Sequence, residues 1–245
     1  WSVPVAKGCR HRLMMRHPAT GRLMRCARLP FGYADSPRIF CMVTEAIAQE
    51  FRKRAAGKGV NILCFVDDYL VIGDDESATR YGADLLESLF HEFGLEFAPH
   101  KQRGPCQCIE FLGLLIANFE EICCIGLSEK RQEKVKKLLN TWLERKPESS
   151  KASKCDPTEL ARLLGQLVFA SQVVKGGRTY MQGMLSQFKG LEVDWRRGLV
   201  RRIKDSAWAE IELNDGFWRD LEWWVDSFES RNCVSLVEDQ LGVAA

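Results

Sequence analysis

The chain has 245 residues, of which 46% are hydrophobic and 28% charged, and its formal net charge is +2. This is enough for one large domain or two smaller ones, with the composition of an ordinary globular protein. No apolar run could span a bilayer and no signal-peptide pattern opens the chain. We therefore predict an intracellular protein, cytoplasmic or nuclear, that does not bind membranes.

The charge is unevenly distributed along the chain. Residues 1–34 contain no Asp or Glu, and their basic residues are Lys7, Arg10, Arg12, Arg16, Arg22, Arg25 and Arg28. A basic segment ahead of an acidic site is suited to holding a polyanion. A solvated basic surface would explain the same residues.

The ten cysteines, without a secretory signal, predict reduced thiols. Cys106, Cys108, Cys123 and Cys124 could suggest zinc, but structural zinc sites usually space their cysteines by two to four residues. The Cys-x-Cys and Cys-Cys spacings here favour free thiols.

The first half of the chain predicts strands that alternate with helices. The predicted strands are residues 1–5, 12–15, 22–27, 61–65, 70–72, 95–98 and 109–117. Ser36 can cap a first helix, with Pro37 at its first position. Asp74 or Asp75 can cap a second helix, whose predicted apolar stripe is Tyr81, Leu85, Leu89 and Phe93. This order predicts an α+β layer in which helices cover one face of an antiparallel sheet.

After Ile125 the pattern becomes helical. Ser128 can cap one helix, and Asp156 can cap another with Pro157 at its first position. Residues 146–155 are polar and predict a loop. The tryptophan-rich last segment predicts packing residues, since its helical stripe is Phe217, Leu221, Trp224 and Phe228.

Asp67 and Asp68 lie between two apolar runs, residues 61–65 and 70–72. Adjacent carboxylates repel each other, and a bound divalent cation such as Mg2+ is the strongest reason to place them together. An ordinary hairpin turn, where aspartate is common, is the alternative interpretation.

Four ordered motifs resemble those of reverse transcriptases. They are Leu29-Pro30-Phe31-Gly32, Ser36-Pro37-Arg38-Ile39-Phe40, Phe65-Val66-Asp67-Asp68 and Phe111-Leu112-Gly113. The motif series resembles retrotransposon and pararetrovirus enzymes. Within it, the sequence of the second motif is most similar to that of DIRS-type retrotransposons. Two helical stretches, residues 160–167 and 220–224, resemble the region between the polymerase and RNase H domains of such polyproteins.

The resemblance implies a right-hand polymerase: a palm with partial fingers, then a helical thumb and connection. We expect palm and fingers over 1–126, a thumb-like segment over 127–190, and a connection towards RNase H over 191–245. The implied reaction is attack of a primer 3′-hydroxyl on a deoxynucleoside triphosphate, with two Mg2+ ions or Mn2+ as cofactor. The implied partners are an RNA or DNA template-primer, deoxynucleoside triphosphates and the rest of a polyprotein, with RNase H and a recombinase or integrase.

The resemblance also implies roles for individual residues. Asp67 and Asp68 would be catalytic and would bind the metals. The predicted residues at the nucleotide and template are Pro30, Phe31, Gly32, Ser36, Pro37 and Lys101. The predicted primer grip is Phe111, Leu112 and Gly113. Lys101 could instead be a solvated loop lysine. The predicted grip could instead be a core strand.

Departures from the family pattern concern the start of the chain. Trp1 to Val5 resembles the residues that follow the family's first catalytic aspartate and its sugar-screening aromatic residue, so both would lie upstream of Trp1. Phe65 replaces a more usual tyrosine, and Cys41 stands where many relatives carry glutamine. We expect this piece alone to be inactive. The alternatives are a decayed or domesticated nucleic-acid-binding relic, or a related RNA-templated RNA polymerase.

Overall fold

The computed structural model describes residues 3–95, 103–119, 122–147, 153–203 and 205–236. The chain divides into two compact units, Trp1–Cys106 (unit 1) and Gln107–Ala245 (unit 2). These units are defined by contacts within the chain, whereas the three segments expected from the resemblance are defined by function. The three functional segments stay a prediction.

Unit 1 contains two separate β-hairpins and two helices. Its elements are β1 (Met14–Arg16), β2 (Leu23–Arg25), α1 (Ser36–Arg54), β3 (Val60–Phe65), β4 (Asp68–Gly73) and α2 (Glu76–Glu92). Strands β1 and β2 pair antiparallel, and so do β3 and β4. The predicted strand over residues 95–98 lies largely outside the described residues.

The core of unit 1 lies between the β3–β4 hairpin and the two helices. Ile47 and Phe51 of α1, Ile62 of β3, and Leu89 and Phe90 of α2 are buried together. The helical residues recur at three- and four-residue spacing, which places them on one face of each helix. The two helices therefore cover one face of this hairpin, as predicted for an α+β layer.

Residues Lys7–Arg12 form a 3-10 helix between two predicted strands and overlap the second of them only at Arg12. Two other local predictions for unit 1 are wrong. Asp35 occupies the N-cap position of α1, and Ser36 is already its first helical residue. The buried face of α2 contains Gly82, Leu86, Leu89 and Phe90, so the predicted stripe was about one residue out of phase.

Unit 2 combines one antiparallel sheet with helices and two short strand pairs. Its strands are β5 (Cys108–Phe111), β6 (Leu114–Phe119), β7 (Ile122–Leu127), β8 (Ser153–Cys155), β9 (Leu191–Asp194), β10 (Leu199–Arg202), β11 (Ile211–Leu213) and β12 (Cys233–Ser235). Its helices are α3 (Glu129–Leu143), α4 (Pro157–Ala170), α5 (Gln182–Leu185) and α6 (Asp215–Arg231). The sheet order is β12-β7-β6-β5, while β8 pairs with β11 and β9 with β10.

The core of unit 2 is built mainly from α3, α4 and α6. Leu139, Leu163, Leu167, Phe217 and Trp224 are among its fully buried residues. Asp156 caps α4 through Thr158 N–H, as predicted, and Asn214 caps α6 through Phe217 N–H. Trp218 and Trp224 thus pack into the core, as expected, whereas Trp195 is exposed.

Several strands of unit 2 were not predicted. Residues 109–117 were expected to form one strand, but they lie in two strands, β5 and β6, joined by a turn at Leu112-Gly113. Strand β7 runs across the point where the helical pattern was expected to begin, and strands β8 to β12 interrupt the region expected to be helical. Strand β8 begins inside the predicted loop. The helix expected around Met184 is broken into 3-10 turns on either side of α5.

None of the helices in the described parts of the chain is both long and apolar enough to cross a membrane.

Candidate functional site

The two predicted catalytic carboxylates lie at the tip of the β3–β4 hairpin. Phe65 pairs with Asp68, so Val66 and Asp67 form a two-residue loop between the strands. Asp68 begins β4, and both carboxylates are exposed to solvent. The structure therefore presents Asp67 and Asp68 side by side at an open tip.

The loop has an unusual backbone at its first residue. Val66 has φ of 57°, in the left-handed region where a β-branched residue is a true outlier. Two-residue hairpin turns with a positive φ at the first position normally carry glycine there. Such strain persists only where the surrounding structure enforces it, and it concentrates at functional sites. The tip is thus held in one shape at an energetic cost.

The contacts of Tyr69 show how β4 is held directly beneath the tip. Its hydroxyl donates a hydrogen bond to the carbonyl oxygen of Thr44 in α1 at 3.0 Å, and its ring meets Phe90 edge-on at 5.3 Å. Burial raises the pKa of the Tyr69 phenol and that of the neighbouring Cys64 thiol, so both stay neutral. Sequence reasoning missed these residues, although alternation with exposed Asp68 indicates that Tyr69 points inwards.

The residues predicted to border the nucleotide form a turn that leads into α1. The buried Ser36 hydroxyl donates a hydrogen bond to the Pro30 carbonyl oxygen at 2.8 Å, which closes this turn. Gly32 has φ of 84°, a conformation that suits glycine. Phe31 is 80% exposed, and Pro37 is exposed in the first turn of the helix. The first two predicted motifs are therefore one connected structure.

Helix α1 links this turn to the hairpin. Thr44 lies eight residues after Ser36, which is about 12 Å along the helix axis. Through its bond to Tyr69, the same helix contacts the strand that starts at Asp68. Cys41 lies half-buried on α1 between these points. Lys101 lies outside the described residues.

The predicted primer grip is the turn between β5 and β6 in unit 2. Phe111 pairs with Leu114, and the two-residue loop Leu112-Gly113 has φ values of 54° and 79°. Positive φ at both positions gives a hairpin turn that usually carries asparagine or glycine first. Val66 and Leu112 are the non-glycine residues with positive φ in the described chain, and both lie in predicted site motifs.

Arg131 and Ser128 support this turn from α3. A Cβ atom on Gly113 would clash with Nε of Arg131, so the arginine occupies the space that glycine leaves. The guanidinium carbon of Arg131 lies 4.1 Å from the ring centre of Phe169 in α4. Ser128 N–H donates to the Gly113 carbonyl oxygen at 3.2 Å. Sequence reasoning did not identify these supporting residues, which no short motif marks.

The basic segment is folded as an exposed surface. Strands β1 and β2 are exposed throughout. Lys7, Arg22 and Arg25 are also exposed, and no carboxylate in the described chain lies within ion-pair distance of them. Exposed Met14 and Leu23 lie among these cations. The segment is therefore a positive surface with apolar side chains, available to a polyanion.

The metal-binding capacity of the tip rests on its donor chemistry. Adjacent carboxylate oxygens are the ligands that Mg2+ prefers, so Asp67 and Asp68 fit such an ion in type. Within the described residues, no group of three or more His, Cys, Asp or Glu side chains could hold a metal. None of the ten cysteines forms a disulfide bond.

Comparison with known protein families points to the same motifs. The model of the reverse transcriptase (RNA-dependent DNA polymerase) family matches residues 1–116. These residues match a reverse transcriptase domain. The match contains the Pro-Phe-Gly, Ser-Pro, Asp-Asp and Phe-Leu-Gly motifs, so the resemblance to reverse transcriptases is confirmed at the level of this domain. A search of curated proteins gave no match.

Solved structures show that the fold extends over most of the chain. A foamy viral protease-reverse transcriptase in complex with double-stranded DNA matches 93% of this chain, with a TM-score of 0.64 and 19% identity. This chain spans 33% of the length of that one. At such identity the likeness concerns the fold alone: antiparallel sheets and helices arranged as in a reverse transcriptase polymerase, as predicted.

Proposed function

We propose that the chain is part of an RNA-directed DNA polymerase that adds deoxynucleotides to a primer 3′-hydroxyl. The observation that carries this proposal is the presentation of Asp67 and Asp68 at a strained hairpin tip inside the segment that matches the reverse transcriptase family. Asp67 would ligate divalent metal, with Asp68 beside it. Bound Mg2+ or Mn2+ would supply charge neutralisation at the reacting phosphate.

The other site residues would position the substrates. The turn from Pro30 to Gly32 would border the incoming nucleotide and the template, with Ser36 fixing its shape through Pro30. Lys101 would lie near the triphosphate. Leu112 and Gly113 would contact the primer, with Arg131 supporting their turn from behind.

The nucleic acid would be held in part by the exposed basic segment of unit 1. Lys7, Arg22 and Arg25 are available for phosphate contacts, and each such contact adds to the salt dependence of binding. We expect affinity for a template-primer duplex to fall steeply as salt rises, and Arg22→Ala with Arg25→Ala to reduce that slope.

The test is primer extension on an RNA template with Mg2+ or Mn2+. We expect the 245-residue chain to bind the duplex without extending it, since two adjacent carboxylates do not fix two ions in the required geometry. If the parent protein is functional and its reading frame encodes the missing aspartate upstream of Trp1, the longer chain should extend the primer. Asp67→Asn should then abolish extension.

The matched control is Asp84→Asn, which removes an equal charge from an exposed position on α2. If the longer chain still extends the primer after Asp67→Asn, the catalytic role assigned to Asp67 is contradicted. Duplex binding without extension by any longer chain would favour a nucleic-acid-binding relic. Preference for ribonucleotides over deoxynucleotides would identify an RNA-templated RNA polymerase.

We further propose that the chain comes from a retroelement. The sequence of residues 36–40 is most similar to that of DIRS-type retrotransposons. The parent polyprotein would act inside the cell and would also contain an RNase H and a recombinase or integrase. Residues 1–126 would form the palm and fingers, residues 127–190 the thumb, and residues 191–245 the connection. Sequencing the reading frame on both sides of this segment tests this origin. A frame without RNase H or recombinase motifs would contradict it.

A further inference from the structure

Unit 2 has a pocket beside the loop that follows α4. The pocket is open to solvent, has a volume of about 650 Å³, and is lined by the loop that follows α4 and by strand β12. The lining residues with polar side chains are Ser171, Gln172, Lys175, Arg178, Thr179 and Ser235. Small-molecule sites typically have volumes of about 300–1,000 Å³, so the pocket is large enough for a nucleotide or a phosphate chain.

The charge of the lining has one sign. Lys175 and Arg178 are exposed, the lining contains no Asp or Glu, and neither cation has an ion-pair partner in the described chain. Elsewhere in unit 2, many cations lie within 4.0 Å of a carboxylate: Lys136, Arg145, Lys146, Lys154, Arg197 and Arg201. Lys175 and Arg178 are thus available to a ligand, as are other exposed cations of unit 2 such as Lys189 and Arg196.

Arg231 brings a third cation to the rim. A Cβ atom on Gly176 would lie 3.9 Å from Nη1 of Arg231 and 3.2 Å from the Trp223 ring. The guanidinium of Arg231 lies over that ring at 5.7 Å, and the ring stacks on Tyr180 at 4.1 Å. Lys175 N–H also donates to the Arg231 carbonyl oxygen at 3.4 Å. Arg231 is therefore held next to the loop by packing, and no carboxylate of the described residues forms an ion pair with it.

Capping of α4 does not explain these cations. Lysine and arginine near a helix C-terminus often hydrogen-bond the last carbonyl oxygens. Here the oxygens of Leu167, Phe169 and Ala170 already accept backbone N–H groups from residues 171–174. The Val168 oxygen accepts the Ser171 hydroxyl at 2.8 Å. The last-turn carbonyls are satisfied without Lys175 or Arg178.

We propose that this pocket binds a phosphate group, through Lys175 and Arg178 with Arg231 at its rim. Ammonium and guanidinium groups bind phosphate oxygens by charge-assisted hydrogen bonds, and hydroxyls such as that of Thr179 add neutral donors. The phosphate belongs either to a nucleic-acid strand or to a free nucleotide or pyrophosphate. The inference does not depend on the polymerase chemistry proposed for Asp67, since it concerns unit 2 alone.

The experiment is calorimetric titration of the full chain with inorganic pyrophosphate and, separately, with a 12-nucleotide single-stranded RNA. Both titrations are made in EDTA, so that metal chemistry at Asp67 and Asp68 cannot contribute. The test variant is Lys175→Ala with Arg178→Ala. The matched control is Lys189→Ala with Arg196→Ala, which removes the same charge from exposed positions outside the pocket.

We expect the test variant to bind at least about tenfold more weakly than the control variant, because two charge-assisted contacts are lost. Weaker binding of both probes would identify a general phosphate site, and weaker binding of RNA alone would identify a strand phosphate. Equal weakening by the test and control variants, or no binding of either probe by the unmodified chain, would overturn the proposal. If the alanine variant does not fold, Lys175→Gln with Arg178→Gln provides the same comparison.

Discussion

Replacing Val66 by glycine tests whether the hairpin tip stores strain. Val66 has φ of 57° in the loop that carries Asp67, and a non-glycine residue in such a conformation costs about 1–3 kcal/mol. Glycine removes that cost but adds about 0.5–1 kcal/mol of backbone entropy to folding. Val66→Gly should therefore stabilise the β3–β4 hairpin by about 1 kcal/mol, which is about a fivefold change in its opening equilibrium.

The matched control is Val71→Gly in the same hairpin. Val71 packs against the core of unit 1 and has an ordinary backbone. Loss of its apolar burial and the added entropy should destabilise the hairpin by about 2 kcal/mol. The two variants make the same chemical change and are expected to act in opposite directions.

Hydrogen-exchange mass spectrometry of peptides from β3 and β4 measures both effects. Amides at the base of the hairpin should exchange about fivefold more slowly in Val66→Gly and faster in Val71→Gly. Faster exchange in both variants would refute the strain argument. In the longer chain that extends a primer, we also expect Val66→Gly to loosen the orientation of Asp67, which would appear as reduced primer extension despite the higher stability.

Three further predictions concern single groups. Asp220→Ala should cost about 2 kcal/mol in urea unfolding followed by circular dichroism, because the buried carboxylate accepts the Gly183 N–H at 2.6 Å. Tyr69→Phe should lower the stability of unit 1 by about 1 kcal/mol, measured by hydrogen exchange, since the bond to Thr44 is lost. Burial raises the pKa of the Cys155 thiol from 9.0 to about 12. As the pH rises the unfolded thiol ionises before the folded one, so the free energy of unfolding should fall between about pH 9 and 12. Urea unfolding midpoints measured across this range should fall less for Cys155→Ala than for the unmodified chain.

Sequence reasoning recovered the elements whose signals are local and strong. Asp75 and Asp156 cap α2 and α4, as their positions before apolar stripes indicate. The placement of Asp67 between two strands followed from the flanking apolar runs. These features depend on residues within a few positions of one another, so one sequence suffices to predict them.

Other features depend on tertiary contacts that a pattern does not contain. Strands β8 and β11 have three residues each, too few to show a period of two. The positive φ of Val66 could not be predicted, because its side chain disfavours that conformation and only the surrounding contacts enforce it. The role of Arg131 depends on the space above Gly113, which appears only after β5, β6 and α3 pack together.

The separate cores of the two units have an optical consequence. The chain has seven tryptophans, and all except Trp1 belong to unit 2. Trp142, Trp218 and Trp224 are buried there, so the wavelength of their fluorescence emission should shift when unfolding exposes that core to water. Intrinsic fluorescence should thus report the melting of unit 2 almost alone. A tryptophan placed at Phe90 would give unit 1 its own spectroscopic reporter.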